Sequence, residues 1–176
     1  SGTLAELTDL IARLRAANPD ILLVWEPAPS QLAGPAAEVQ AALAQADLFS
    51  PDLGEAQALT GEQTPERMLN KLLSWGARLV ALRMGARGSL VAAAGARYRV
   101  PAVPTRIVDV TGAGNAYIGG FLVGLGSELR VVEAAARAAV SASFALEQFG
   151  VPLFTPEKHA EAQRRLSWAL ARIEPA

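Results

Sequence analysis

Asp109-Val110-Thr111-Gly112-Ala113-Gly114-Asn115-Ala116-Tyr117 is the stretch on which the reading of this chain turns. It stands between the strand-like Arg106-Ile107-Val108 and a helical pattern that runs to Gly124. A strand, a glycine turn and a helix start make an anion site. Gly112 and Gly114 let the backbone approach an oxyanion closely, and the first helical turn points its N–H groups and the positive dipole end outward. The same residues also read as an ordinary start of a helix, capped by Asp109 or Thr111, with the glycines making a tight turn. Glycine spacing by itself does not separate the two.

Working outward, strands alternate with helices and a helical tail follows. Leu4, Leu7, Ile11 and Leu14 recur at helical spacing, and Asn18-Pro19 stops that helix. Ile21-Leu22-Leu23-Val24-Trp25 is a continuous apolar run between Pro19 and Pro27, the pattern of a strand buried on both faces in a parallel sheet. Helices are expected over 35–46, 51–60 and 65–75, short strands over 47–49 and 78–84, and a hairpin turning at Gly95 within 89–100. Three more helices are expected over 112–124, 131–149 and 156–173. This order predicts an α/β layered fold with a mostly parallel sheet.

With 176 residues the length suits one domain, 1–176. Sixteen basic and seventeen acidic residues give a net charge of −1, so no basic excess points to nucleic acid. The absence of cysteine excludes disulfides, thiolate metal sites and a cysteine nucleophile, and a single histidine, His159, excludes a histidine cluster. No stretch reaches the roughly 18–20 uninterrupted apolar residues of a membrane helix, and the first residues lack a signal-peptide pattern, so no membrane association and a cytoplasmic location are expected.

The turn resembles the second signature of the ribokinase-like (pfkB) carbohydrate kinases, Asp-Thr-x-Gly-Ala-Gly-Asp-x-Phe. Asp109, Gly112, Ala113 and Gly114 align without gaps, Val110 stands at the threonine position with Thr111 one residue on, and Tyr117 takes the aromatic position. The resemblance implies a three-layer αβα fold that binds ATP. In it the amides of Gly112, Ala113 and Gly114 form an anion hole for the transferring phosphoryl, and Asp109 and Thr111 lie near a monovalent-cation site. The position of the family's catalytic base holds Asn115, whose carboxamide cannot accept a proton near neutral pH. Together with Trp25-Glu26-Pro27 and Ala142–Gln148, this asparagine looks most like the maintenance-of-killer-type branch.

Two further segments carry the likeness. Ser50–Gly61 is similar to the family's Asn-x-x-Glu segment, which implies that Glu55, with Asp52 as a second negative group in place of the asparagine, acts through water on the magnesium that accompanies the nucleotide phosphates. Without that likeness, Ser50 as cap, Pro51 at the first position and two acids in the first turn make a sound helix start needing no ligand. Leu79–Leu90 is similar to the family's strand and Gly-x-x-Gly turn under the nucleotide, represented by Gly85 and Gly88. Arg83 stands where a small hydroxyl residue is common, so its guanidinium either contacts phosphate or blocks the usual path. On the alanine-rich helix beside the adenine, Ser141 and Ser143 are the available polar groups, although dense alanine also fits close packing against the sheet. His159 reads as solvated, and the tryptophans as packing groups.

The resemblance covers the C-terminal part of a family member. The N-terminal sugar pocket and lid have no counterpart, so the chain is expected to be a fragment, to pair with its missing part, or to form a homodimer. The reading is therefore the ATP-holding part of a kinase acting on a sugar or related small hydroxyl compound. The alternative is a catalytically silent, kinase-like nucleotide-binding or assembly protein. A dinucleotide-binding domain is a distant third, because the third glycine and the ribose-binding acid are missing.

Overall fold

The structure, a computed structural model, describes residues 4–28, 31, 35–93, 95–153 and 155–176. The chain is α/β, with a mixed, mostly parallel sheet, in agreement with the alternation read from the sequence. It divides into two compact units, 1–83 with 92–95, and 84–91 with 96–176. Among the described residues no helix is long and apolar enough to cross a membrane.

The first unit contains α1 (Leu4–Ala17), β1 (Val24–Trp25), α2 (Ala36–Gln45), β2 (Leu48–Phe49), α3 (Leu53–Thr60), α4 (Pro65–Ser74) and β3 (Leu79–Arg83). β1 pairs parallel with β2, and β2 with β3. Leu43, Leu48, Phe49, Leu69, Leu72, Val80 and Leu82 are fully buried and form its core. Trp25 lies against Phe49 with ring centroids 4.9 Å apart, as expected of a packing aromatic. The run 21–25 is less of a strand than expected: only Val24 and Trp25 form ladder pairs, and Leu22 is 40% exposed. What anchors the run is Asp47, whose Oδ2 accepts from the Leu23 amide (2.9 Å) and from Arg15 (2.7 Å), while Oδ1 accepts from Arg78 (3.3 Å). One carboxylate thus ties α1 and the approaches to β1 and β3 at the point where β2 begins.

Helix α3 starts later than expected. Ser50 Oγ is buried and donates to the Ala81 carbonyl, and the Pro51 carbonyl accepts from the Arg83 amide (2.9 Å), so the ladder runs past both residues before the helix begins. Asp52 is the cap instead. Its Oδ1 accepts from the Glu55 amide (2.8 Å) and Glu55 Oε2 accepts from the Asp52 amide (2.7 Å), a complete capping box.

The second unit contains a 3₁₀ turn (Gly85–Arg87), β4 (Ser89–Ala93, its first three residues), β5 (Ala96–Val100), α5 (Ala113–Gly126), α6 (Val131–Ala145), α7 (Pro156–Leu170) and β6 (Glu174–Pro175). β5 pairs antiparallel with β6, a strand not foreseen in the sequence. The expected strand at 106–108 is absent: Ile107 and Val108 are exposed, and the amides of Val108 and Asp109 both donate to the Leu146 carbonyl (2.7 and 3.2 Å). That carbonyl is at the C-terminus of α6, where the helix ends short of the expected Phe149. Helix α7 likewise ends at Leu170 rather than Ile173.

Helix α6, whose alanines were expected to pack against the sheet, touches β5 and packs still more closely against helix α5. A Cβ on Gly124 would stand 2.6 Å from Ala134 Cα, and one on Gly120 2.4 Å from Ser141 Oγ. The helices therefore meet with almost no side chain between them, and the helix-propensity penalty of about 1 kcal/mol per glycine is offset by that close approach. Buried Tyr117 fastens α5 to β4 through a 2.8 Å hydrogen bond between its hydroxyl and that of Ser89. Arg165 of α7 joins Glu147 (2.5 Å), Glu161 (2.9 Å) and Ser143 Oγ (2.9 Å) while covering the Phe144 ring. Gly124→Val should lower the unfolding free energy by about 2–3 kcal/mol through overpacking. Gly119→Ala, with nothing within 4 Å of the new Cβ, should raise it by up to about 1 kcal/mol. Urea denaturation of both variants beside wild type checks the pair.

Candidate active site

In the first unit the carboxyl ends of three parallel strands collect the charged groups. Arg83, the last residue of β3, places Nη2 3.0 Å from the Ser50 carbonyl just beyond β2 and 2.6 Å from Glu26 Oε1 just beyond β1. Glu55 Oε2 lies 3.5 Å away on α3. Burial pushes the Glu55 carboxyl above the usual carboxylate range. The Asp52 amide and the Arg83 charge pull it down, while the negative charges of Asp52 and Glu26 add to the rise.

In the second unit the chain turns at Gly85 (φ 59°) and Gly88 (φ 80°), closed by a hydrogen bond from the Met84 amide to the Gly88 carbonyl (2.8 Å). The two glycines answer different needs. A Cβ on Gly88 would fall 2.0 Å from the Val100 carbonyl oxygen, whereas one on Gly85 would meet nothing within 4 Å. Gly88 is thus required by packing, and Gly85 only by its backbone angle and whatever approaches its open side.

The glycine turn of the second unit begins with Asp109, whose Oδ1 accepts from the Thr111 amide (3.0 Å). This bond and a second from the Thr111 hydroxyl hold the Asp109 carboxyl below its usual range. Gly112 is the N-cap of α5 at φ 79°, a left-handed angle that suits glycine, and it has no side chain with which to cap. The Ala113 amide donates back to the Val110 carbonyl at 3.3 Å, and the first intrahelical bond runs from the Ala116 amide to the Gly112 carbonyl. Helix geometry leaves the amides of Gly114 and Asn115 without an intrahelical acceptor. Asn115 is exposed on this first turn. The structure therefore has Gly112 as the cap where Asp109 or Thr111 was the sequence alternative.

Ser141 faces Gly120 on the seam between α5 and α6, and Ser143 is buried beneath Arg165. The apolar surface of this unit is a feature that the sequence reading missed. Ile107, Val110, Phe149, Val151 and Leu153 are each more than 60% exposed, on two segments joined through the Leu146 carbonyl. The β-branched pair before the turn reads as part of a strand in the sequence. His159 is exposed, as expected.

Residues 3–158 match the pfkB family of carbohydrate kinases. The chain belongs to that family. An ATP-dependent 6-phosphofructokinase of Thermoanaerobacterium thermosaccharolyticum is 36% identical over 87 residues, which are 49% of this chain and 27% of that protein. A cytidine kinase of Thermococcus kodakarensis is 36% identical over 84 residues, 47% of this chain and 30% of that one. The ribokinase of Thermotoga maritima superposes with a TM-score of 0.72 at 23% identity, covering 88% of this chain and 52% of the ribokinase, which identifies the fold as ribokinase-like. The pfkB chain described here thus spans about half of that structure and less than a third of those curated relatives.

The magnesium implied by the pfkB family can be tested against the donors present. Asp52 and Glu55 each spend a carboxylate oxygen on the capping box, and the Glu55 oxygen so used also faces Arg83. Among the described residues no group of three or more Asp, Glu, His or Cys converges to hold a metal. As arranged, this set does not fit a magnesium ion held directly by the protein, which demands near-ideal octahedral oxygen ligation.

Two outcomes follow. Gly88→Ala should cost about 3 kcal/mol or more from clash and strain, against about 1 kcal/mol for Gly85→Ala, as read by chemical denaturation. Asp109 has a folded-state pKa below its unfolded value, so its contribution is fully present above about pH 4 and is lost as pH falls through the lower, folded value. Asp109→Asn keeps an acceptor for the Thr111 amide without the titration. Its melting temperature should fall less steeply than that of wild type on acidification below pH 4.

Proposed function

We propose that the whole protein transfers the γ-phosphoryl group of ATP to a hydroxyl of a sugar or nucleoside-like compound, with this chain holding the nucleotide and the anion hole. The observation that carries this reading is the start of α5, where Gly112 leaves the helix without a side-chain cap and a Cβ there would meet no atom within 4 Å. The amides of Gly114 and Asn115, reinforced by the helix dipole, would receive the phosphoryl oxygens there as charge spreads over them. Gly112 and Ala113 would shape this hole, and Asp109 with Thr111, which fix the turn, would support a monovalent cation. Gly85 and Gly88 would border the phosphates, and the exposed apolar residues at 107–110 and 149–153 offer a surface for a flat base. The relatives named for 6-phosphofructokinase and cytidine kinase activity support an acceptor class that includes sugars and nucleosides.

Asn115 occupies the third helical position, close enough to the amides to orient the acceptor hydroxyl. A carboxamide can accept a hydrogen bond from that hydroxyl but cannot take its proton near neutral pH. Phosphoryl transfer draws most of its catalysis from positioning and charge stabilisation, so the missing base costs about 10²- to 10⁴-fold and leaves slow turnover. The same asparagine favours a second reading, a silent nucleotide-binding protein of the maintenance-of-killer-type branch. Comparing ATP turnover by the full-length protein with that of Asn115→Asp and Asn115→Ala separates them. Under the kinase reading wild type exceeds the alanine variant and aspartate raises the rate about 10²-fold or more. Wild type no faster than alanine supports the silent reading.

A further inference from the structure

Arg83 is bound in an unusual way for an arginine. A guanidinium ordinarily pairs through its two-pronged fork, yet among the described residues the oxygens that partner this side chain converge on Nη2: Ser50 O at 3.0 Å, Glu26 Oε1 at 2.6 Å and Glu55 Oε2 at 3.5 Å. Its Nε is buried without a hydrogen-bond partner. The side chain is 15% exposed, and those of Glu26 and Glu55 are 35% and 21% exposed. It therefore behaves as a single positive centre ringed by oxygens, which is the arrangement a bound cation would have. Its place, at the carboxyl edge of parallel strands, is where ligands of α/β sheets ordinarily gather.

We propose that Arg83 is a resident cation that takes the electrostatic position of a divalent metal at the Glu26–Glu55 carboxylate pair, so that this cluster binds no divalent metal of its own. Glu55 Oε2 already accepts the Asp52 amide and faces the guanidinium, so a divalent ion there would have to displace one or meet the repulsion of the other. Removing the guanidinium leaves Glu26, Asp52 and Glu55 with no positive partner in the cluster, and that excess of negative oxygen is what a hard cation takes. The inference rests on residues of the first unit alone and does not depend on the kinase reading.

The experiment is titration of the full chain with manganese alone, without nucleotide, followed by the electron paramagnetic resonance signal of the free ion. Wild type should show no saturable site below millimolar manganese. Arg83→Ser should create one at least tenfold tighter, and adding Glu55→Gln to that variant should abolish it. Arg83→Met, which keeps the apolar stem, replaces the serine variant if the latter fails to melt cooperatively. Saturable manganese binding by wild type that Glu55→Gln weakens tenfold would overturn the proposal, and so would a folded Arg83 variant with no gain in manganese affinity. Since no nucleotide is present, such a failure leaves the phosphoryl-transfer reading standing, and loss of that reading leaves this one standing.

Discussion

The parallel run of β1, β2 and β3 is the constraint from which the first unit's chemistry follows. Strands about 4.8 Å apart that point the same way must end side by side, so the residues just beyond them are brought together whatever their sequence separation. Glu26, Ser50 and Arg83 meet for that reason alone. The opposite ends need an equivalent fastening, and Asp47 supplies it by accepting from Arg15, Leu23 and Arg78. A two-residue strand, β2, is thereby fixed at both ends by polar bonds while Leu48 and Phe49 fill the core between them.

Most elements were legible because their signals are local. Pro65 at the start of α4, Gly61 in the left-handed cap of α3, and Gly95 at a positive φ between β4 and β5 in the chain each act within a few residues, and each is a break that the sequence marks. The misreadings arise where a distant partner decides. Ser50 has the chemistry of a cap, but pairing with Arg83 carries the ladder past it to Pro51 and Asp52, so the role passes to Asp52. Ile107 and Val108 have the composition of a strand, but the backbone amides of Val108 and Asp109 go to one carbonyl at the end of α6 rather than to a neighbouring strand.

The candidate site shows the same division. The glycine turn and its unusual Asn115 can be read from nine residues, since a positive φ and a bare helix start are properties of the local chain. That Gly88 is demanded by the Val100 carbonyl, or that Ser141 sits on the seam with Gly120, requires knowing what lies opposite. The charge cluster is the clearest case. Arg83 invited two readings from sequence, phosphate contact or obstruction, and its partner Glu26, fifty-seven positions earlier, could not be named until the strands were aligned.

The tail of the chain has a consequence of another kind. Glu174 and Pro175 pair with Arg99 and Tyr98, and the Ala176 amide donates to the Arg97 carbonyl, so residues 174–176 lie along β5. Such a margin invites a strand from another molecule. This one offers only two ladder residues, and proline has no N–H to give. Pro175 is therefore unsuited to templating a further strand beside β6, which discourages the edge-to-edge association that leads from a folded protein to an aggregate.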